Sequence, residues 1–584
     1  MLHDVLGRMA AHEMTKRNVA QPQRNKRNDV AQRARRDHAS HIGLRLVVGL
    51  CALFGLGFGC ARPTSRPDGA TKDSGTSDAP DAAPGGCAVD CMAIGLTCSL
   101  HRCTSTACQT SERTGEGIAG CIFYTLQVDN VTADENATTS FLVANAGVAP
   151  ANVTLEVAQP ASGGTGWTEL GKLQVDVGAS RRIPVAPVSA SPMTTLGVIP
   201  APQVTAVGVT RRAALRIRSD QPVTVSEVES DDVAIPATSS GGTMLLPLQS
   251  LGEDHRVITY AQEPTDDVQM TAGSRGGSAR VMVVGTQDGT TVKFTPMGPV
   301  TGDPRGALPD IPAGGTHEIT LGDGDVFQIY SGAMGEDLTG ARVSSTAPVA
   351  VFAGNISTTY GSNVTGINSA DMAHEQMPPI SSWSNSYLAA AMTPQASIGC
   401  TSFFGRDGAS IWRVLASHDG TLVKVAGPGI PLATYPLDTG AVQTLVEIGS
   451  FTVTANYPIL VTQGIDCEPS LSLAVAVGAT TLLTSLPFAV PPSFDLLLEI
   501  VRPNGAEILL DGTIVSGFQA VGGTFELASI PLAPCIPTDG SGVCTHLLVS
   551  SSKTNGFGMS LRGMDVGSSF AFTTPLVSCD PCLN

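Results

Sequence analysis

Four stretches of the chain carry the side chains that chemistry would need. Residues 227–232 (EVESDD) and 322–325 (GDGD) offer carboxylates, His374-Glu375 sets an imidazole beside a carboxylate, and His418 offers another imidazole. Clustered carboxyl oxygens suit calcium, but GDGD lacks the acid that closes a calcium loop, so both acidic runs read as turns. His374-Glu375 runs into Met377-Pro378-Pro379. Proline there excludes the helical partner at i+4 that zinc peptidases use, which makes His374 an interdomain loop residue. His418 sits in a hairpin turn and is expected to face solvent. There is no Gly-x-Ser-x-Gly elbow, His-Glu-x-x-His helix, P-loop or Gly-x-Gly-x-x-Gly after a strand. No catalytic residue, cofactor or metal is therefore assigned. An exported hydrolase of unfamiliar fold, working through Asp231, Asp232 or Glu375, is the enzymatic alternative.

The chain has 14 cysteines. Cys51 lies inside an apolar run and Cys60 ends it. The others are Cys87, Cys91, Cys98, Cys103, Cys108, Cys121, Cys400, Cys467, Cys535, Cys544, Cys579 and Cys582, an even number that points to disulfides in an exported chain. Their early spacing does not form the paired C-x2-C knuckles of a zinc site. Cys400–Cys467 and Cys535–Cys544 are the favoured local pairs further on. Cys579-x2-Cys582 lacks the βαβ setting of a redox motif and reads as structural. Trp383 and Trp412 read as core ahead of interface hot spots. The sequons at Asn136, Asn355 and Asn363 read as chance products of composition.

The address comes from the first 86 residues. Residues 46–59 (LVVGLCALFGLGFG) are uncharged and apolar, too short to favour a spanning helix but suited to a signal-peptide core flanked by Arg45. Gly57 and Gly59 beside Cys60 resemble a bacterial lipoprotein cleavage box, although Leu56 is displaced and Phe58 is bulky. Cys60 is accordingly the expected lipidation site, with 1–60 as leader and signal. Residues 61–86 are rich in Pro, Gly, Ser, Asp and Ala and read as a disordered tether, and 87–120 as a disulfide segment. The first 60 residues hold ten Lys/Arg and four Asp/Glu. The remainder therefore has 24 basic and 47 acidic residues, a net of −23 within a whole-chain −17. That balance excludes a nucleic-acid surface.

The elements that would position any site are repeated. Residues 216–230 (RIRSDQPVTVSEVES), 342–355 (RVSSTAPVAVFAGN) and 452–466 (TVTANYPILVTQGID) each pass from a lead-in through a polar bend and a proline into an apolar strand. Proline fits a bend or strand start because it lacks an amide donor and keeps the preceding residue extended. Asp288-Gly289, Asp419-Gly420 and Asn504-Gly505 mark tight hairpins in the last three copies, with a degenerate first copy at 141–157, and the fourth copy loses the proline strand. A glycine-led strand follows at 178–185, 314–321, 440–448 and 522–527. The fold class is all-β, in tandem sandwich-like units spanning 121–247, 248–378, 379–488 and 489–584, the last including the C-terminal tail. A β-propeller is the alternative. The Pro-rich connectors 245–252, 375–383 and 483–492 should pack unit against unit.

This order of signatures, with Cys121-Ile-Phe-Tyr at its head and His374-Glu-Gln-Met-Pro-Pro in the middle, resembles the N-terminal domain of IgGFc-binding proteins, as in secreted bacterial lipoprotein relatives. The resemblance covers about 121–577 and implies a surface binding or adhesion module. Its partner would be an unknown protein or glycan, with the membrane reached through the lipid anchor at an outer-membrane address. It carries over no contact residue and does not require immunoglobulin as ligand. A structural envelope spacer is the third reading.

Overall fold

The computed structural model describes residues 97–99, 102–109, 118–128, 138–158, 166–187, 198–229, 240–262, 277–303, 306–358, 371–391, 410–447, 449–465, 470–473, 475–476, 482–492, 494–534, 536–537, 540–565 and 568–574. Cys60, Cys87, Cys91, Cys400, Cys467, Cys535, Cys579 and Cys582 lie outside them, as do the tether, Asp231, Asp232, Asn136 and Asn363. The regular elements of the described residues are almost all β-strands, joined by turns and short loops. No helix among them is long and apolar enough to cross a membrane.

Three strands stand out by length: Leu215–Glu229, Arg342–Thr358 and Phe451–Ile465. Each contains one of the proline bends and turns a corner there. The partners of Arg218 and Val223 are Ile122 and Gly120; those of Ser344 and Val349 are Asp254 and Gly252; those of Thr454 and Ile459 are Ser386 and Ser384. In all three, five positions on the corner strand are matched by two on its neighbour, an irregularity that re-aims the strand. The prolines donate nothing, but each carbonyl accepts a bond from the loop after the unit's first hairpin strand. The donors are Ala146 N to Pro222 O (3.1 Å), Thr286 Oγ1 to Pro348 O (2.6 Å) and Ser417 N to Pro458 O (3.3 Å).

The corner lets one strand serve two four-stranded antiparallel sheets. In the second unit, the half before the bend lies between Gly252–Arg256 and Thr290–Thr295, with His317–Leu321 beyond. The half after it lies between the inner strand Asp371–Gln376 and Ala279–Gly285, with Val326–Tyr330 beyond. The first and third units repeat this order around their own corner strands. The fourth keeps the order but breaks the corner strand into Cys544–Ser550 and Gly558–Asp565, one in each sheet. That break is why its proline strand is missing from the sequence.

One alignment of the repeats needs correction. The glycine of the second unit that corresponds to Gly178 and Gly440 is Gly324, not Gly314. Gly324, at φ +83°, introduces Val326–Tyr330, whereas 314–321 contains the preceding hairpin return His317–Leu321. A glycine turn is needed at both places, so the two looked alike in sequence.

The units join into a ring. The inner strands Gly242–Met244, Asp371–Gln376, Ser470–Leu473 and Ser568–Thr573 touch in cyclic order, the fourth returning to the first. Apolar side chains pack across every junction. Val143 and Val225 share a core with Met282 and Phe352; Val281 and Phe327 with Trp412 and Val461; Leu388 and Ala390 with Val501 and Leu527; Leu498 and Phe570 with Leu142 and Val228. Hydrogen bonds also close the ring, from Thr224 Oγ1 to Pro487 O (2.8 Å) and from Ser240 Oγ to Ser569 O (2.7 Å). Units that are sandwich-like individually are thus arranged around an axis as propeller blades are.

Alternate residues of one strand belong to different junctions, as the pleat requires. Val349, Val351 and Ala353 face the core shared with the third unit, while Ala350 and Phe352 face the first. The connector prolines seat where a unit begins: a Cβ at Gly120 would lie 2.3 Å from Pro247 Cβ, and one at Gly252 would lie 2.5 Å from Pro379 Cβ. Cys108 is bonded to Cys121. Ser105 Oγ donates to Asp220 O (2.7 Å), and the bridged Cys108 Sγ, which carries no proton, lies 3.6 Å from Ser219 O, so the cysteine segment is fastened onto the first corner bend. Cys544 is also disulfide-bonded, and Cys98 and Cys103 are register partners in a two-stranded ribbon.

Candidate functional site

Glu227 and Glu229, two positions apart near the end of the first corner strand, leave the same face of the sheet. The first unit supplies Thr125 and Thr139, whose hydroxyls donate to Glu227 Oε2 (2.5 Å) and Glu229 Oε2 (2.7 Å). The second unit brings in Arg280 and His374. His374 Nε2 lies 3.2 Å from Glu227 Oε1. Its ring stacks on Phe352 with centroids 5.4 Å apart, and Arg280 Nη2 points at Met372 Sδ (3.4 Å). The cluster therefore sits at the junction of the first two units.

Burial sets its electrostatics. Loss of water pushes Glu227 up to about 7, against the Thr125 and Glu229 hydrogen bonds and the Arg280 charge. Loss of water and then the Glu227 charge push Glu229 up to about 8. His374 is driven down to about 3, first by burial and then by Arg280, with Glu229 opposing. At neutral pH the imidazole is neutral, Glu229 keeps its proton and Glu227 is near its midpoint, so the pair holds between one and two protons. The arrangement can hold and share a proton. None of the four side chains is more than 2% exposed, so they present no atom to a molecule in solvent.

His374 is thus not an interdomain loop residue. It lies on the inner strand Asp371–Gln376, and the prolines act only after that strand has ended. Nor are Glu227 and Glu229 in an acidic turn. Glu375 is buried as well, accepting from Thr243 Oγ1 (2.7 Å), and burial raises its carboxyl well above the usual range. The hydrolase alternative named Glu375 together with Asp231 and Asp232; the structure describes only Glu375.

GDGD is a turn, and its acids are engaged by the first unit. Asp323 accepts from Tyr124 Oη (2.9 Å) and Trp167 Nε1 (2.8 Å); Asp325 accepts from Arg211 Nη1 (2.5 Å) and Arg212 N (2.9 Å). Among the described residues no His, Cys, Asp or Glu group could hold a metal ion. His418 is exposed and stacks on Tyr457. Trp412 and Trp383 are core residues. Asn355 is buried, its amide bonding Tyr260 and Gly277.

Two residues that matter were missed. Arg280 completes the cluster. Arg413 ties the third unit to the second, donating to Thr339 Oγ1 (2.8 Å), Asp337 Oδ2 (2.8 Å) and Thr259 O, with its guanidinium 5.0 Å from the Tyr260 ring centroid. The available signal was a lone arginine inside an otherwise apolar strand, which demands a partner when buried.

Compared with models of protein families, residues 241–563 match the one described as IgGFc binding protein. No curated protein matches the chain, and no solved structure does.

Proposed function

The chain belongs to the IgGFc binding protein family, and from that premise we propose that it is a non-catalytic binding module displayed on a bacterial cell envelope. The observation that carries the reading is how the ring spends its reactive side chains. Glu227, Glu229, His374, Asp323, Asp325 and Arg413 all serve junctions between units. Strand edges and turn tips are left as the surface offered to a partner. The partner would be a protein or glycan, and the family's name makes the Fc region of immunoglobulin G the first protein to try. The apolar run 46–59, Cys60 and the polar tether support a lipid-anchored, outer-membrane address.

Two experiments test this. The full chain carrying Cys60→Ser is presented to immobilised immunoglobulin Fc and to a glycan array; saturable binding to either is expected. Absence of binding together with turnover of ester, peptide or glycoside substrates would replace the reading with the hydrolase. Separately, Cys60→Ser should release the protein from cells and stop labelling by a fatty-acid analogue. If the unaltered protein takes up no label, the anchor is refuted.

A further inference from the structure

We propose that Glu227, Glu229, His374 and Arg280 form a proton-dependent latch between the first and second units, closed while the two carboxyls hold protons and loosened when these are lost. The geometry confines the charges. Glu227 and Glu229 come from the first corner strand, Arg280 from Ala279–Gly285 and His374 from Asp371–Gln376. From neighbouring strands, the Thr125 and Thr139 hydroxyls donate to the two carboxyls, and Thr243 is the register partner of Glu227. A third buried carboxyl, Glu375, follows His374 in the inner strand and accepts from Thr243; burial raises it in the same direction as the other two.

With protons present, two carboxyls sit side by side without repulsion, and a neutral imidazole stacks on Phe352. Once they leave, two negative charges share a site that water does not reach, faced by one guanidinium and a histidine that burial keeps uncharged. Relief comes from letting water in, and the seam between the two units is where water can enter. The pKa shifts run the same way: both carboxyls are raised from 4.5, to about 7 and about 8, so the protonated, closed form prevails below that range and is lost above it.

The test is amide hydrogen exchange of the full chain between about pH 6 and about pH 9.5, corrected for base catalysis. Peptides covering 139–145, 223–229 and 371–376 are compared with 410–416 of the third unit. Relative protection of the first group should fall by about tenfold or more across that range, as expected for losing a proton from a group shifted by more than one unit. Glu229→Gln, the same shape without a removable proton, should flatten the change. Thr139→Val removes the donor that favours the ionised form and should move the midpoint to higher pH. A pH-independent protection ratio in the unaltered protein would overturn the latch, as would the same profile in both variants.

Discussion

A histidine between carboxyls usually signals chemistry, but at His374 complete burial turns the same residue types into a structural joint with a pH dependence. The acids Glu227, Glu229 and Glu499 have pKa values raised from 4.5 to about 7, about 8 and about 8. Their favourable contribution is present below about pH 4.5 and is lost as pH rises through those values. The histidines act in the opposite sense: His374 and His255 are lowered from 6.5 to about 3 and about 4. Their contribution is present above about pH 6.5 and is lost as pH falls through those values. Thermal denaturation across pH should therefore give a maximum in the mildly acidic range and a falling midpoint towards pH 9. A midpoint still rising at pH 9 would refute this assignment. The sequence made these residues hard to see, because a buried polar cluster breaks the apolar alternation by which strands are recognised. Glu227 and His374 also meet only through folding of two separate units.

At the scale of elements, the proline strands were legible because bend, proline and apolar run follow from backbone chemistry alone. What lay beyond reach was the three-residue excess at each corner and the split strand of the fourth unit, since register belongs to pairs of strands. Burial of Val351 on one face and Phe352 on the other sets the expectation for mutation. Val351→Asp would place a charge where neither water nor a partner waits. It should cost several kcal/mol and abolish the folded state, as read by circular dichroism and expression in soluble form. A stable, soluble Val351→Asp protein would overturn the core assignment. Ser345→Ala removes only bonds to Ala347 O (2.7 Å) and Glu253 O (3.3 Å) in a partly exposed bend and should shift stability by less than about 1 kcal/mol. Cys108→Ser should cost about 3 kcal/mol, since the bridge closes a loop of 13 positions. Its effect should appear first as protease sensitivity of the cysteine segment docked on Ser219 and Asp220, with the ring intact.

For the whole molecule, the consequence of four junctions is that no unit is complete alone. The repeat pointed to tandem β units, but closure was not readable, because Leu142, Val228 and Met244 find their cover at the opposite end of the chain, against Leu498 and Phe570. A string of independent sandwiches and a closed ring predict different unfolding. The most direct measurement is calorimetry of the full protein beside a version lacking residues 485–584. The ring predicts one dominant cooperative transition for the first and loss of that transition for the second, because removing the fourth unit uncovers both the first and the third. A truncated protein that melts cooperatively at nearly the same temperature would contradict the ring and leave the units as beads on a chain.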